Sequence, residues 1–144
     1  MTIKVEGGAA LAAQLALLSR KVKDEVDREI GDVAAEAEGD IVLSVQGGKK
    51  TGKVYTRGGV SHQASAAGEA PASDTGGLAG SINHEREKNM RWSVFSRMMT
   101  SVWLEYGTEH IEARPFFRPV FAKINLTFRN RIQSAIKRAS NAIR

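Results

Sequence analysis

The sequence predicts an α+β fold in which a long N-terminal amphipathic helix and a basic C-terminal helix pack on a small antiparallel sheet, with a long glycine-rich loop. Three observations lead to this prediction. Apolar residues recur at helical spacing near both ends of the chain, one intervening stretch alternates apolar and polar residues, and nine of the fourteen glycines fall in a single segment. With 144 residues and 42% hydrophobic content, the chain has the size of one domain.

The first helix is predicted over residues 9–44, because apolar residues step by three or four with charged or small residues between them. Gly31 and Gly39 each weaken this helix by roughly 1 kcal/mol relative to alanine, which leaves open an earlier end near Glu38. Even a 30-residue helix is about 45 Å long, whereas a domain of this size is about 37 Å across. We therefore expect the helix to extend past its own domain and to be covered by a second chain, unless it bends at Gly31. The predicted apolar stripe consists of Leu11, Leu15, Leu18, Val22, Val26, Ile30, Val33, Ala37 and Ile41.

Residues 47–80 form the glycine-rich segment, which contains few large apolar residues and cannot contribute much core. It is longer than ordinary loops, and loops of this length are usually functional or disordered. A short extended piece around Val54–Thr56 is compatible with its composition, and Leu78–Ile82 has the composition of a short helical turn.

Residues 81–96 are predicted to form the antiparallel sheet. Met90–Ser96 alternates in polarity, with Trp92 and Val94 on the same face as Met90. We expect this strand to pair with Ser81–Glu87 across a turn near Lys88.

Two further helices complete the predicted domain. A short helix over residues 101–106 begins after Thr100 or Ser101, either of which could cap it, and Gly107 ends it in the left-handed conformation that glycine tolerates. The C-terminal helix is predicted over residues 117–140, with Pro119 confined to its first turn. Its apolar stripe consists of Phe117, Phe121, Ile124, Phe128, Ile132, Ala135 or Ile136, Ala139 and Ile143.

Charge is unevenly distributed along the chain. The net charge is +5, yet no acidic residue follows Glu112 and seven basic residues follow Pro115. Such asymmetry is typical of contact with a polyanion or an acidic partner, and equally of a solvated helix face. Because burying each phenylalanine stabilises the fold by about 1.5–3 kcal/mol, we interpret the last helix chiefly as a core element with a basic outer face. The candidate DNA-channel or partner face consists of Lys123, Arg129, Arg131, Lys137 and Arg138.

Several classes of protein are disfavoured by composition. The absence of cysteine excludes disulfides and thiolate metal sites. The sequence has no apolar run of about 18 residues, and Met1–Glu6 lacks the pattern of a signal peptide, so we expect a protein made in a cytoplasm without a membrane span. The histidines His62, His84 and His110 have no ligand-like spacing, so we expect no metal.

Two short motifs imitate catalytic sites. Gly47–Lys53 resembles a phosphate-binding loop, but Val54 stands where a magnesium-binding hydroxyl is needed and no helix follows. Asp74-Thr75-Gly76 matches the aspartic protease triplet, but Pro71-Ala72-Ser73 before it is typical of a turn rather than of an apolar strand. We therefore expect no catalytic residue, no cofactor and no enzymatic activity.

Two phrases in the chain resemble one known family. Leu104-Glu105-Tyr106-Gly107-Thr108 is followed, after a short loop, by Ala113-Arg114-Pro115-Phe116-Phe117-Arg118-Pro119. Together they are similar to the tail-completion family of siphophages and related prophages, of the type found in phage HK97. The stretch Ala64–Ile82 also resembles that family's S-x-x-G-E-x-P-x-x-D-T-G-x-L-x-x-S-I phrase. The similarity covers residues 9–138, with one departure, because Ser101-Val102-Trp103 stands where the family often has Tyr-Ala.

The resemblance implies a structural virion protein of the phage neck, with a single domain over residues 1–144 that completes the tail and joins it to the head. The implied partners are copies of the chain itself in a hexameric ring, the head-closure and tail-terminator proteins, and genomic double-stranded DNA passing without sequence-specific contact. The implied location is the virion, with the host cytoplasm during assembly. The alternative function is a cytoplasmic, non-specific nucleic-acid-binding protein that uses the basic C-terminal helix.

The motif residues also suggest a structural role by themselves. Arg114-Pro115 and Pro119 fix the entry of the chain into the last helix, and Phe116, Phe117 and Phe121 supply anchoring apolar surface. Glu105 could form an ion pair with Arg114 or Arg118. This arrangement is consistent with a rigid corner inside one chain or with a contact between subunits. On this interpretation Phe117→Ala would cost about 3–5 kcal/mol as a core truncation.

Overall fold

The computed structural model describes residues 8–142 of the chain, so residues 1–7, Ile143 and Arg144 lie outside the described residues. The predicted α+β fold is confirmed, with a long N-terminal helix, a C-terminal helix and antiparallel strand pairs. In chain order the elements are α1 (Gly8–Gly47), β1 (Val54–Arg57), β2 (Val60–Gln63), α2 (Gly77–Gly80), β3 (Ile82–Lys88), β4 (Arg91–Ser96), α3 (Thr100–Tyr106) and α4 (Arg118–Asn141).

Helix α1 is continuous over 40 residues, which corresponds to about 60 Å. It passes through Gly31 and Gly39 and ends three residues beyond the predicted end at Ser44. Gly31 is a packing position, because a Cβ atom added there would lie 2.9 Å from Cζ2 of Trp92. The glycine therefore admits the indole ring of β4 against the helix backbone, and the helix continues past it.

Helix α4 runs antiparallel to α1. The Lys123 ammonium lies 2.8 Å from Asp40 at one end, and the Lys21 ammonium lies 3.4 Å from the Ala142 carbonyl at the other. The buried core lies in the second half of α1 and is closed by α2, β3 and the start of α4. Its members are Val33, Ala37, Ile41, Val45, Ala79, Ile82, Phe116, Val120 and Ile124.

The start of the α1 stripe is exposed, whereas Leu18 and Val22 further along it are half-buried. Leu11 and Leu15 are each 57% exposed among the described residues. From Gly8 to Arg20 the helix extends about 20 Å beyond the last contact with α4 at Lys21. We call residues Leu11–Arg20 the overhang, and it agrees with the expectation that this helix is longer than its domain.

The strands form two separate hairpins. Strands β3 and β4 pair antiparallel with Ile82 opposite Ser96, as predicted, and pack on α1. Asp27 of α1 fixes this hairpin, since its carboxylate accepts the Met90 N–H at 2.7 Å and pairs with Arg86 at 2.5 Å. Strands β1 and β2 form a second hairpin inside the glycine-rich segment, where the sequence indicated only a short extended piece.

Candidate functional site

The first family-like phrase folds into one closed turn between α3 and α4. The Gly107 N–H donates to the Trp103 carbonyl at 2.8 Å, and the Arg114 N–H donates to the Leu104 carbonyl at 2.6 Å. Gly107 has φ 79°, and a Cβ atom there would lie 2.8 Å from the Ile111 carbonyl oxygen. Glycine is therefore required at this position by both backbone conformation and space.

The carboxylate of Glu105 is the centre of this corner. Its Oε2 accepts the N–H groups of Phe116 and Phe117 at 2.8 and 2.9 Å, and its Oε1 accepts the Arg118 N–H at 2.9 Å. These amides stand at the start of α4, where no preceding helical carbonyl can satisfy them. Glu105 is only 4% exposed, so a side chain from α3 caps the N-terminus of α4 inside the protein.

Arg118 completes the pairing with Glu105. Its Nε donates to Oε1 at 3.0 Å, its Nη2 donates to the Glu105 backbone carbonyl at 2.7 Å, and its guanidinium lies 5.1 Å from the centre of the Tyr106 ring. Burial raises the pKa of Glu105, but the amide and Arg118 hydrogen bonds outweigh it and hold the pKa below its ordinary value. Of the two predicted partners, Arg118 is the one that binds Glu105. Arg114 instead has a buried Nε with no hydrogen-bond partner among the described residues.

The aromatic residues of the corner have different roles from those predicted. Phe116 is 1% exposed and belongs to the core, whereas Phe117 is half-buried and packs edge-on against it at 4.9 Å. Phe121 is exposed, and Val120 beside it is buried. Phe117, which we expected to be a core residue, packs against the buried residues from the edge of the core. Phe116, Val120 and Ile124 are the residues that turn inward here, and Phe117 flanks them although its backbone is already helical.

The predicted cap of α3 is also wrong. The N-cap position is Met99, and no side chain caps the helix there. The Ser101 hydroxyl lies 2.5 Å from the Ser96 hydroxyl, which in turn lies 2.7 Å from the Ser81 hydroxyl. The Ser101 hydroxyl therefore bonds to Ser96 of the β3–β4 hairpin and does not accept an N–H group at the start of α3, because Ser96 offers it a partner inside the protein.

The second family-like phrase is organised by another carboxylate. Glu69 accepts hydrogen bonds from the Thr51 N–H at 2.9 Å, the Thr51 hydroxyl at 2.6 Å and the Ala66 N–H at 2.8 Å. These bonds lower the pKa of Glu69 to about 2. Lys50, in the segment that resembles a phosphate-binding loop, donates to the Ala70 and Ser44 carbonyls at 2.7 and 3.0 Å. The glycine-rich segment is thus tied together by its own polar contacts.

The two phrases, whose nearest ends are 22 positions apart in the chain, meet in space. The Gly68 N–H of the second phrase donates to the Ala113 carbonyl of the first at 2.9 Å. Both phrases line one cleft of about 380 Å³, to which Leu78 and Leu104 contribute. Asp74 stands in the same cleft, where its carboxylate pairs with Arg57 at 3.3 Å and lies 3.1 Å from Nδ1 of His62.

The basic residues of α4 do not form one free face. Lys123 pairs with Asp40, Arg131 with Glu29 at 2.7 Å and with Glu36, and Arg138 with Glu25 and Glu29 at 2.8 and 2.7 Å. Hydrogen bonds from the two arginines lower the pKa of Glu29. Arg129 and Lys137 are exposed and form no ion pair among the described residues.

The carboxylates that neutralise α4 were overlooked in the sequence analysis, although the sequence contains the signal. Glu25, Glu29, Glu36 and Asp40 recur at four, seven and four residues along α1, which places them on one side of the helix. A matching stripe of bases on α4 predicts that the two helices are antiparallel neighbours.

An apolar groove beside the corner was likewise overlooked. It lies between β4, α3 and the start of α4 and has a volume of about 370 Å³. We call it the α3–α4 groove, and its apolar lining consists of Phe95, Met98, Val102, Tyr106, Phe117 and Phe121. The only charged residues in its lining, Glu105 and Arg118, pair with each other.

Within residues 8–142, no group of three His, Asp or Glu side chains is arranged to hold a metal ion, and no helix is both long and apolar enough to span a membrane. Comparison with protein-family models, with curated protein sequences and with solved structures finds no match to this chain.

Proposed function

We propose that this chain is a structural protein of the neck of a long-tailed bacteriophage, which completes the tail and joins it to the head as a ring around the DNA channel. Its partners in this role are other copies of the chain in a hexameric ring, together with head-closure and tail-terminator proteins. The genome would pass through the ring without sequence-specific contact.

The observation that supports this proposal best is the meeting of the two family-like phrases. Each phrase contains fixed positions of the family pattern that have a structural role here. Glu105 caps α4, Gly107 permits the turn after α3, and Glu69 holds the glycine-rich segment together by hydrogen bonds. The Gly68–Ala113 hydrogen bond then joins the phrases into one unit. Because the two phrases contact each other in the fold, we expect them to occur together in one protein. A chance match of both phrases to the same family is therefore harder to explain than a chance match of one.

Exposed apolar surface gives independent support for assembly. The overhang and the α3–α4 groove both present apolar side chains to solvent in a single copy. Soluble monomers seldom expose large contiguous apolar patches, and such patches usually mark contacts with other proteins.

The alternative function, non-specific nucleic-acid binding by α4, has less support. Three of its five candidate residues are held by carboxylates of α1, which reduces the positive charge available to phosphates. We expect a Kd for duplex DNA no tighter than about 10 μM near physiological salt, a value within the range of non-specific binding. Fluorescence anisotropy across a salt titration measures this affinity, and tight binding that weakens steeply with salt would favour the alternative.

Native mass spectrometry of the purified chain, with mass spectrometry of particles produced from the genome that encodes it, tests the neck proposal. We expect a concentration-dependent or partner-dependent oligomer and a small, fixed number of copies per particle. A chain that stays monomeric at all concentrations with its partners present, and is absent from purified particles, would refute the proposal.

A further inference from the structure

We infer that the overhang of one copy docks in the α3–α4 groove of the next copy, so that the copies associate head to tail. This inference deepens the proposed function, on which it rests for the expectation that the copies form a ring. It assigns the contact between copies to two apolar surfaces that residues 8–142 of one chain leave exposed.

The overhang has the sequence of a docking helix. Leu11, Leu15 and Leu18 stand at positions i, i+4 and i+7, the spacing with which an amphipathic helix places anchors in a groove. No charged residue occurs between Gly8 and Ser19. The stripe also continues directly from Val22 and Val26, which are half-buried against the domain, so Leu11 and Leu15 belong to the same apolar face and are left exposed by residues 8–142.

The groove has matching chemistry and size. Its charges are confined to the Glu105–Arg118 pair, so an uncharged helix can enter without leaving an ion unpaired. A cavity of about 150 Å³ holds a benzene-sized group, and the groove of about 370 Å³ therefore has room for two leucine side chains. Tyr106 and Phe121 are 68% and 38% exposed, and at about 200 Å² per aromatic side chain they leave roughly 200 Å² uncovered.

One copy cannot satisfy both surfaces by itself. Phe121 lies near Ala37 of α1, since the two residues line the same cavity. Leu15 is 22 residues before Ala37 on a continuous helix, which places it about 33 Å away. The overhang therefore cannot fold back into its own groove, and its occupant must be another molecule.

Two different surfaces on one rigid body form a heterologous contact. Such contacts repeat from copy to copy and close into a ring when the rotation between copies permits it. The overhang is only about 15 Å long, so the contact buries less than the roughly 1,600 Å² of a standard interface. We therefore expect weak association between free copies that becomes stable when the ring closes or when its partners bind.

The absence of cysteine allows a direct test by disulfide trapping. Leu15→Cys and Val102→Cys are made in separate chains of different mass, mixed at high concentration and oxidised. We expect a mixed disulfide between the two chains in excess of either symmetrical one. A predominant symmetrical Leu15→Cys disulfide would show that overhangs pair with each other, which overturns the inference.

The same experiment distinguishes this inference from the ring proposal. Oligomers that form without the mixed disulfide would overturn the docking contact while leaving the neck function standing. Failure to form any oligomer, together with absence from particles, would refute both.

A matched pair of substitutions gives a second measurement. Leu15→Gln removes an anchor of the stripe, whereas Leu17→Gln changes a similarly exposed leucine on the opposite side of the helix. We expect Leu15→Gln to weaken association by about tenfold, the effect of losing one modest anchor, and Leu17→Gln to leave it unchanged. Neither should change Tm, because both residues lie outside the core. Equal effects of the two substitutions on association would contradict docking of the Leu11–Leu15–Leu18 face in the α3–α4 groove.

Discussion

Replacing Glu105 by glutamine should weaken the whole fold, although it changes one carboxylate oxygen into an amide nitrogen. Each carboxylate oxygen of Glu105 accepts two N–H donors, from Phe116 and Phe117 on one side and from the backbone and Nε of Arg118 on the other. Whichever oxygen becomes the amide nitrogen, two donors lose their acceptor and face another donor instead.

The size of the effect follows from those two bonds. A hydrogen bond to a charged group contributes about 1.5–3 kcal/mol, so losing two of them in Glu105→Gln should lower the free energy of unfolding by about 3–6 kcal/mol. That is a large fraction of the roughly 5–15 kcal/mol of a typical domain. For a chain of this length it corresponds to a fall in Tm of about 10–20 °C.

Urea and thermal unfolding, followed by circular dichroism at neutral pH, measure this loss. Glu109→Gln is the control, because Glu109 is an exposed carboxylate in the adjoining loop. A Glu105→Gln variant with a Tm within about 2 °C of the parent, less than the shift for 1 kcal/mol, would show that the buried cap contributes little.

The pH dependence provides a second check on the same residue. The folded-state pKa of Glu105 is lowered, so its stabilising contribution is complete above the pKa of the unfolded chain, near 4.5, and is lost as pH falls through the lower folded-state value. The difference in stability between the parent and Glu105→Gln should therefore be largest near neutral pH and should close in acid. A difference that widens as pH falls below 4 would contradict the assigned cause.

Three further predictions follow from packing and from the glycine-rich segment. Phe116→Ala should lower the free energy of unfolding by about 3–5 kcal/mol. Phe117→Ala should lower it by about 1–2 kcal/mol, because its ring is only half-buried. Urea unfolding measures both losses, and a larger loss for Phe117→Ala would contradict the assignment of Phe116 to the core. Gly39→Ala should stabilise the protein by about 0.5–1 kcal/mol through helix propensity, since nothing lies within 4 Å of its added Cβ. Gly31→Ala should instead destabilise it, because overpacking against Trp92 costs about 1–3 kcal/mol; equal Tm shifts for the two glycine variants would contradict the close contact. Glu69→Gln should increase hydrogen exchange at the Thr51 and Ala66 amides. Since the pKa of Glu69 is about 2, the parent protein should keep these amides protected down to well below pH 4.5. Unchanged exchange in the variant at pH 7 would show that the Glu69 carboxylate does not hold this segment together.

Local pattern predicted the long helices and the β3–β4 hairpin of this protein. The three- and four-residue spacing of apolar residues predicted α1 and α4, and alternation around Trp92 predicted the β3–β4 pairing. These features depend on a residue and its near neighbours along the chain, so they can be recognised without knowing the fold. The β1–β2 hairpin was missed because its four-residue strands are almost entirely exposed and contain no apolar alternation.

The partner of each polar side chain could be identified only from the tertiary structure. The sequence offered Arg114 and Arg118 to Glu105 equally, and only the path of the loop after Gly107 decides that Arg118 pairs with it. The sequence contains the carboxylates of α1 that neutralise the basic stripe of α4, but only the placement of the two helices decides which of them pair. A charge's effect depends on what lies within a few ångströms, and the ion pairs between α1 and α4 join residues that are 80 or more positions apart.

The sequence by itself therefore determined the fold class, the order of the elements and the excess length of the first helix, since each of these follows from local spacing and chain geometry. Only the tertiary structure decided that Phe116 rather than Phe117 enters the core, that Glu105 caps α4, and that the overhang and the α3–α4 groove are separate uncovered surfaces. Those outcomes depend on the rotation of one helix about its axis and on its distance from another, and a spacing pattern within one helix contains neither quantity.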